Sequence, residues 1–173
     1  KRVYYSGYVP ITTDPRLPAI TSQVPMLREN RLYQTDWLLR FYGFDIRELL
    51  NNDHPNLDLD IDPKLSWALR NQHLFPVNIN TADKSMLARI PGLGMRSVLK
   101  ILQARKYRKL NWEHLKAIGI ALNRAKYFIV CDSRLWERKD WTPEQIKSKI
   151  IKTSSSKFRK DYSTQLNLFD HAS

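Results

Sequence analysis

The chain has 173 residues, 42% of them hydrophobic, which is enough apolar material for one or two domains with a real core. It contains no run of about 18 apolar residues and no signal-peptide pattern, so neither a membrane span nor secretion is indicated, and a cytoplasmic protein with no membrane partner is expected. The net charge of +12 is unevenly placed: residues 1–80 carry nine basic and nine acidic side chains, whereas residues 81–130 carry eleven basic and two acidic, a footprint for a polyanion rather than a diffuse solubility charge.

The chain opens on Lys1 and passes at once into Val3-Tyr4-Tyr5-Ser6-Gly7-Tyr8-Val9, which reads as a core strand and suggests a segment of a longer protein. Pro10, Pro15, Pro18 and Pro25 then impose a loop, because each lacks an amide donor and holds its predecessor extended. Leu27, Tyr33, Trp37, Leu38 and Phe41 recur at helical spacing and predict a helix over residues 26–42, stopped by Gly43. A short helix over 45–50 follows. Asp58, Asp60 and Asp62 alternate with apolar residues; they could attract a divalent cation, but a solvent-facing edge is the simpler reading. Asp62 is then the N-cap and Pro63 the first residue of a helix running to about residue 73.

The lone cysteine, Cys131, reads as a buried apolar side chain; it cannot form an internal disulfide or hold a cluster. The four histidines lack ligand spacing, and no metal site is expected. Toward the C-terminus, Thr142-Pro143-Glu144 starts a helix ending near Lys152. Residues 153–164 are polar and basic, with too little apolar surface to offset ordering entropy, and predict a flexible tether.

The basic region holds the most informative pattern. Asn80 or Thr81 is expected to cap a first helix, with Asp83 in its first turn; Pro91-Gly92-Leu93-Gly94 follows Ile90, and a second helix runs over 95–106. Gly92 and Gly94 permit torsions closed to other residues and allow another backbone to approach, while Leu93 plugs the cleft between the helices. The first amides of the second helix form an anion site by lack of intrahelical partners and by the macrodipole. Arg96, Ser97 and Lys100 flank it, and Val98, Leu99, Ile101 and Leu102 are expected to face the core. A weaker copy, Leu115-Lys116-Ala117-Ile118-Gly119-Ile120, follows, with helices expected over 112–118 and 123–130, Arg124 near the start of the latter, and Ala121 where a second glycine is expected. This copy is expected to be mainly structural. DNA-binding residues on this reading are Gly92, Leu93, Gly94, Arg96, Ser97, Lys100, Gly119 and Arg124. Binding should be sequence-independent and salt-sensitive.

Residues 87–94 match the core pattern of the helix-hairpin-helix family, which the region resembles, and the resemblance implies DNA binding through the hairpin backbone. Over residues 2–131, the stretches Asp14-Pro15-Arg16-Leu17-Pro18, 27–44 and 56–60 look like the C-terminal part of radical SAM proteins of DNA modification or repair that associate with a uracil-DNA glycosylase-like partner. That resemblance implies an enzyme using S-adenosylmethionine and a [4Fe-4S] cluster. This chain lacks the three-cysteine motif, so no cofactor is expected on it and it should not catalyse radical chemistry alone.

The expected fold is therefore mainly α. Residues 1–76 would supply the last strand and following helices of a radical SAM α/β barrel, residues 77–131 a tandem helix-hairpin-helix unit of four helices, residues 132–152 a terminal helix, and residues 153–173 a disordered tail. Without the barrel, apolar faces in the first segment would lie exposed. In the tail, Gln165, Leu166, Leu168 and Phe169 are similar to the peptide with which bacterial replication and repair proteins dock onto the sliding clamp. The alternative function is a non-enzymatic DNA-binding or protein-interaction adaptor.

Overall fold

The computed structural model describes residues 3–7, 15–16, 26–131 and 141–153. The protein is mainly helical, with α1 (Met26–Phe41), α2 (Ile46–Leu49), α3 (Pro63–Arg70), a 3-10 turn (Gln72–Leu74), β1 (Val77–Asn78), α4 (Lys84–Arg89), α5 (Met95–Ala104), α6 (Trp112–Ala117), α7 (Leu122–Ala125) and β2 (Ile129–Val130). A last helix, α8, spans residues 143–153. Two compact units divide at Trp67 and Ala68. No helix among the described residues is long and apolar enough to cross a membrane.

In the first unit, α1 forms where the apolar spacing placed it, yet it buries Thr35 and Leu38 while Met26, Leu27, Tyr33, Trp37 and Phe41 stay exposed. Of the periodic stripe only Leu38 packs into the core. Trp37 and Phe41 lean on each other at 4.4 Å between ring centroids. The expected strand at residues 3–9 does not form over its described part, 3–7. A strand must complete its ladder with a neighbour. Here α1 side chains serve instead: the Tyr33 hydroxyl accepts from the Tyr5 amide and donates to the Tyr5 carbonyl, each at 3.0 Å, and Glu29 Oε2 accepts from the Gly7 amide.

Asp45 caps α2 in a reciprocal capping box with Glu48, as its position before the short apolar run implies. The acidic stretch 58–62 is used locally: Asp58 Oδ1 accepts from the amides of Asp60 and Ile61, and Asp62 Oδ1 caps α3 by accepting from Leu65. Phe44, Leu49, Ile61, Leu65 and Trp67 form the core, with Phe44 edge-on to Trp67 at 5.3 Å. Lys64 is buried too, its Nζ 4.6 Å from the centroid of the Tyr42 ring.

In the second unit the two ends of the hairpin region are tied by a short parallel pair, Val77 against Ile129 and Asn78 against Val130. The fourth hairpin helix, expected over 123–130, keeps only four residues, Leu122–Ala125, since Ile129 and Val130 are drawn into extended backbone and the Phe128 and Val130 carbonyls accept from the Val77 and Ile79 amides. Asp83, and neither Asn80 nor Thr81, caps α4, its Oδ1 accepting from the Met86 amide at 2.7 Å.

Asn80 is diverted to a longer-range task. Its Oδ1 accepts from the Leu110 amide at 2.8 Å, and its Nδ2 donates to the carbonyls of Leu110 and Cys131. One amide thereby joins three places distant in sequence, two of them buried to 2% and 1% exposure. Replacing Asn80 with Leu strands a donor and two acceptors, and urea denaturation should show a loss of roughly 2–4 kcal/mol. A loss below about 1 kcal/mol would mean that water replaces these bonds. Cys131 is buried as expected, and Ile146 and Ile150, one helical turn apart, bury one face of α8.

Candidate nucleic-acid interface

The first hairpin is built by α4 and α5 around Ile90-Pro91-Gly92-Leu93-Gly94. Ile90, Pro91 and Leu93 are fully or almost fully buried, and the Leu93 amide closes the turn on the Ile90 carbonyl at 3.2 Å. Leu93 therefore fills the cleft as expected, and only its backbone is left to meet a ligand. Gly92 has φ +86°, a left-handed conformation that the sequence anticipated. A Cβ there would sit 3.0 Å from Arg124 Cβ and 3.2 Å from the Ala125 amide nitrogen, so the turn lies directly against α7. Gly94 is different. Its φ of −82° is open to any residue, and its task is to be the N-cap of α5 without a capping side chain.

The second hairpin repeats this layout with α6 and α7. Asn111 and His114 form a capping box at the start of α6. Gly119 has φ +76°. Ala121 stands where the first hairpin has Gly94 and serves as the N-cap of α7 at φ −73°, again without a side-chain cap. Since Gly94 itself needs no left-handed torsion, alanine at this place is no defect. In both copies the left-handed glycine stands two residues before the N-cap, but the second turn is one residue shorter, lacking a counterpart of Pro91, and its second helix has 4 residues against 10.

The two turns are brought together. Gly92 abuts Arg124 and Ala125 of α7, and Lys100 of α5 reaches the opposite way, its Nζ donating to the Ile118 carbonyl at 2.9 Å beside Gly119. Each glycine turn is thus met by the second helix of the other hairpin, and each leads into a helix whose first amide groups lack intrahelical partners. Arg96 and Lys100 are exposed there, Ser97 and Arg124 half-buried, and Gly92 and Gly119 exposed. Lys116, which the sequence reading did not single out, is exposed on the last turn of α6, three residues before Gly119. Residues 84–112 contain no carboxylate, and Glu113 is the only one as far as residue 131.

One sequence expectation changes, and one residue gains a role the sequence reading did not assign. Leu99 is 53% exposed rather than packed, because Val98 and Ile101 already fill the buried face of α5. Arg105 is an internal clamp, donating through Nη1 to the carbonyls of Ile79 and Ala82. Behind the turns, Asp83 is held below the usual carboxylate range chiefly by the Met86 amide and then by the Ser85 hydroxyl, so it stays ionised at the start of α4.

The described residues contain no group of three or more His, Cys, Asp or Glu side chains able to hold a metal ion. Gln165, Leu166, Leu168 and Phe169 lie outside the described residues. No protein-family model, curated protein or solved structure matches the chain.

Proposed function

We propose that residues 77–131 bind the phosphate backbone of DNA, and that the chain is the DNA-binding C-terminal portion of a radical SAM protein of DNA modification or repair. The observation that carries the binding half is the pairing of two left-handed glycine turns, each met by the second helix of the other hairpin and each followed by a helix without a side-chain cap, with the exposed cations Arg96, Lys100 and Lys116. Phosphate oxygens suit such a site, because outward main-chain amides and mobile cations hold an anion without reading a base.

The enzymatic half rests on the resemblance of residues 2–131. A [4Fe-4S] cluster does not fit the donors of this chain: its one thiol, Cys131, is 1% exposed in the apolar core, and the cluster and S-adenosylmethionine would have to be held by other residues of such a protein. A sliding clamp, through residues 165–169, and a uracil-DNA glycosylase-like protein are the further partners on this reading.

Fluorescence anisotropy of a labelled duplex, titrated with the full chain at several salt concentrations, tests the binding. Affinity should fall steeply with salt. Arg96→Glu with Lys116→Glu should weaken it by at least about tenfold and flatten the salt slope by about two. Lys116 is preferable to Lys100 for this purpose, since Lys100 also ties α5 to Ile118. Binding indifferent to both reversals would remove the assigned site.

A further inference from the structure

The loop between the hairpins carries a feature that backbone binding at the turns does not use. Tyr107 is 82% exposed, and its neighbours Lys106, Arg108 and Lys109 are exposed as well. We propose that this loop is a second nucleic-acid contact, which stacks an unpaired base on the Tyr107 ring and places the adjacent phosphates against the flanking cations.

The loop is rigidly mounted. On its N-terminal side Arg105 is clamped to the Ile79 and Ala82 carbonyls, and on its C-terminal side the buried Leu110 is held by Asn80. Between them the amides of Lys106 and Tyr107 close on the carbonyls of Gln103 and Ala104 at 3.3 and 3.2 Å. The ring is thus displayed by a fixed backbone, which lowers the ordering cost of binding.

Its surroundings select the ligand. The three cations of the loop outweigh the roughly half negative charge at the end of α5, and Glu113 is the sole carboxylate between residues 84 and 131, so the loop attracts an anion. Cations alone would serve any anion, but an exposed aromatic ring among them adds a face for stacking, and a duplex offers none because its bases are stacked on one another. Only an unpaired strand supplies both a bare base and flanking phosphates. The loop also lies at the far end of α5 from Gly94, about 15 Å along the helix, and so constitutes a contact separate from the turns.

The test compares binding of a labelled oligo-dT strand and of a blunt duplex by the full chain, by Tyr107→Ala and by Tyr107→Phe. Tyr107→Ala should weaken oligo-dT binding about 5- to 160-fold, the range for one stacked base, and leave duplex binding within about twofold, while Tyr107→Phe should behave as the parent. Tyr107-dependent oligo-dT binding in the absence of duplex binding would sustain this contact even if the reading of the turns failed. Equal affinity of Tyr107→Ala and the parent for oligo-dT would overturn it. So would displacement of oligo-dT by poly-glutamate at matched charge, which would mark the loop as a contact for an acidic protein.

Discussion

Gly92→Val should lower the stability of the hairpin unit by roughly 3–5 kcal/mol, the larger loss of any single change at the turns. Two costs add. A β-branched residue at φ +86° carries about 1–3 kcal/mol of backbone strain, and its Cβ would press on Arg124 Cβ at 3.0 Å and on the Ala125 backbone nitrogen at 3.2 Å, neither of which is the movable end of a side chain. Gly119→Val is the internal control. Its φ of +76° imposes similar strain, but the nearest atom is the Lys100 ammonium at 3.6 Å, an ordinary contact that a flexible side chain can relieve. Thermal denaturation of both variants should place Gly92→Val below Gly119→Val by about 10 °C. Equal losses would show that the close approach of the first turn to α7 contributes nothing, and would weaken the view that the two hairpins form one binding surface.

The second large effect concerns the first unit and its response to pH. Burial pulls the Lys64 ammonium down to a pKa of about 7 from 10.5, against the smaller opposing attraction of Asp62. A lysine whose folded pKa is lowered binds fewer protons folded than unfolded between those two values, so stability must rise with pH from about 7 to about 10.5 and the penalty is fully present below 7. The penalty integrates to roughly 3–5 kcal/mol. Lys64→Met keeps the alkyl stem in the core and removes the charge, so it should stabilise the protein by that order at pH 6.5, with the gain shrinking as the pH approaches 9. Urea denaturation followed by tryptophan fluorescence at several pH values measures the difference between variant and parent. A difference independent of pH would mean that Lys64 is charged in the fold, held by the Tyr42 face 4.6 Å away.

Local signals account for most of the elements. The caps at Asp62 and Thr142, the helical spacing over α1, and the glycine turns at 92 and 119 all rest on contacts within a few residues, and each appears where the chain implies it. The errors share another origin. Asn80 has the chemistry of an N-cap, but Leu110 and Cys131, 30 and 51 residues away, take its hydrogen bonds and Asp83 takes the cap. Ile129 and Val130 look like the end of a helix until β1, some fifty residues earlier, offers them a ladder. Residues 3–7 look like a strand, yet α1 satisfies Tyr5 and Gly7 through side chains.

At the candidate interface the division is the same. Charge density and the turn motif are properties of composition and short spacing, and the sequence alone marked one basic segment in which two helical hairpins follow one another. It also marked Arg96, Lys100 and Gly92. Only the tertiary structure decided that Gly92 is reserved for the approach of α7, that Lys100 also bonds the second turn, that Ala121 fits where a glycine was expected, and that Lys106, Tyr107, Arg108 and Lys109 stand on a loop pinned at both ends. The physical reason is that a cap or a turn is chosen by neighbours three or four residues away. Which side chains remain available to a ligand is decided by packing between segments that meet only after the chain has folded.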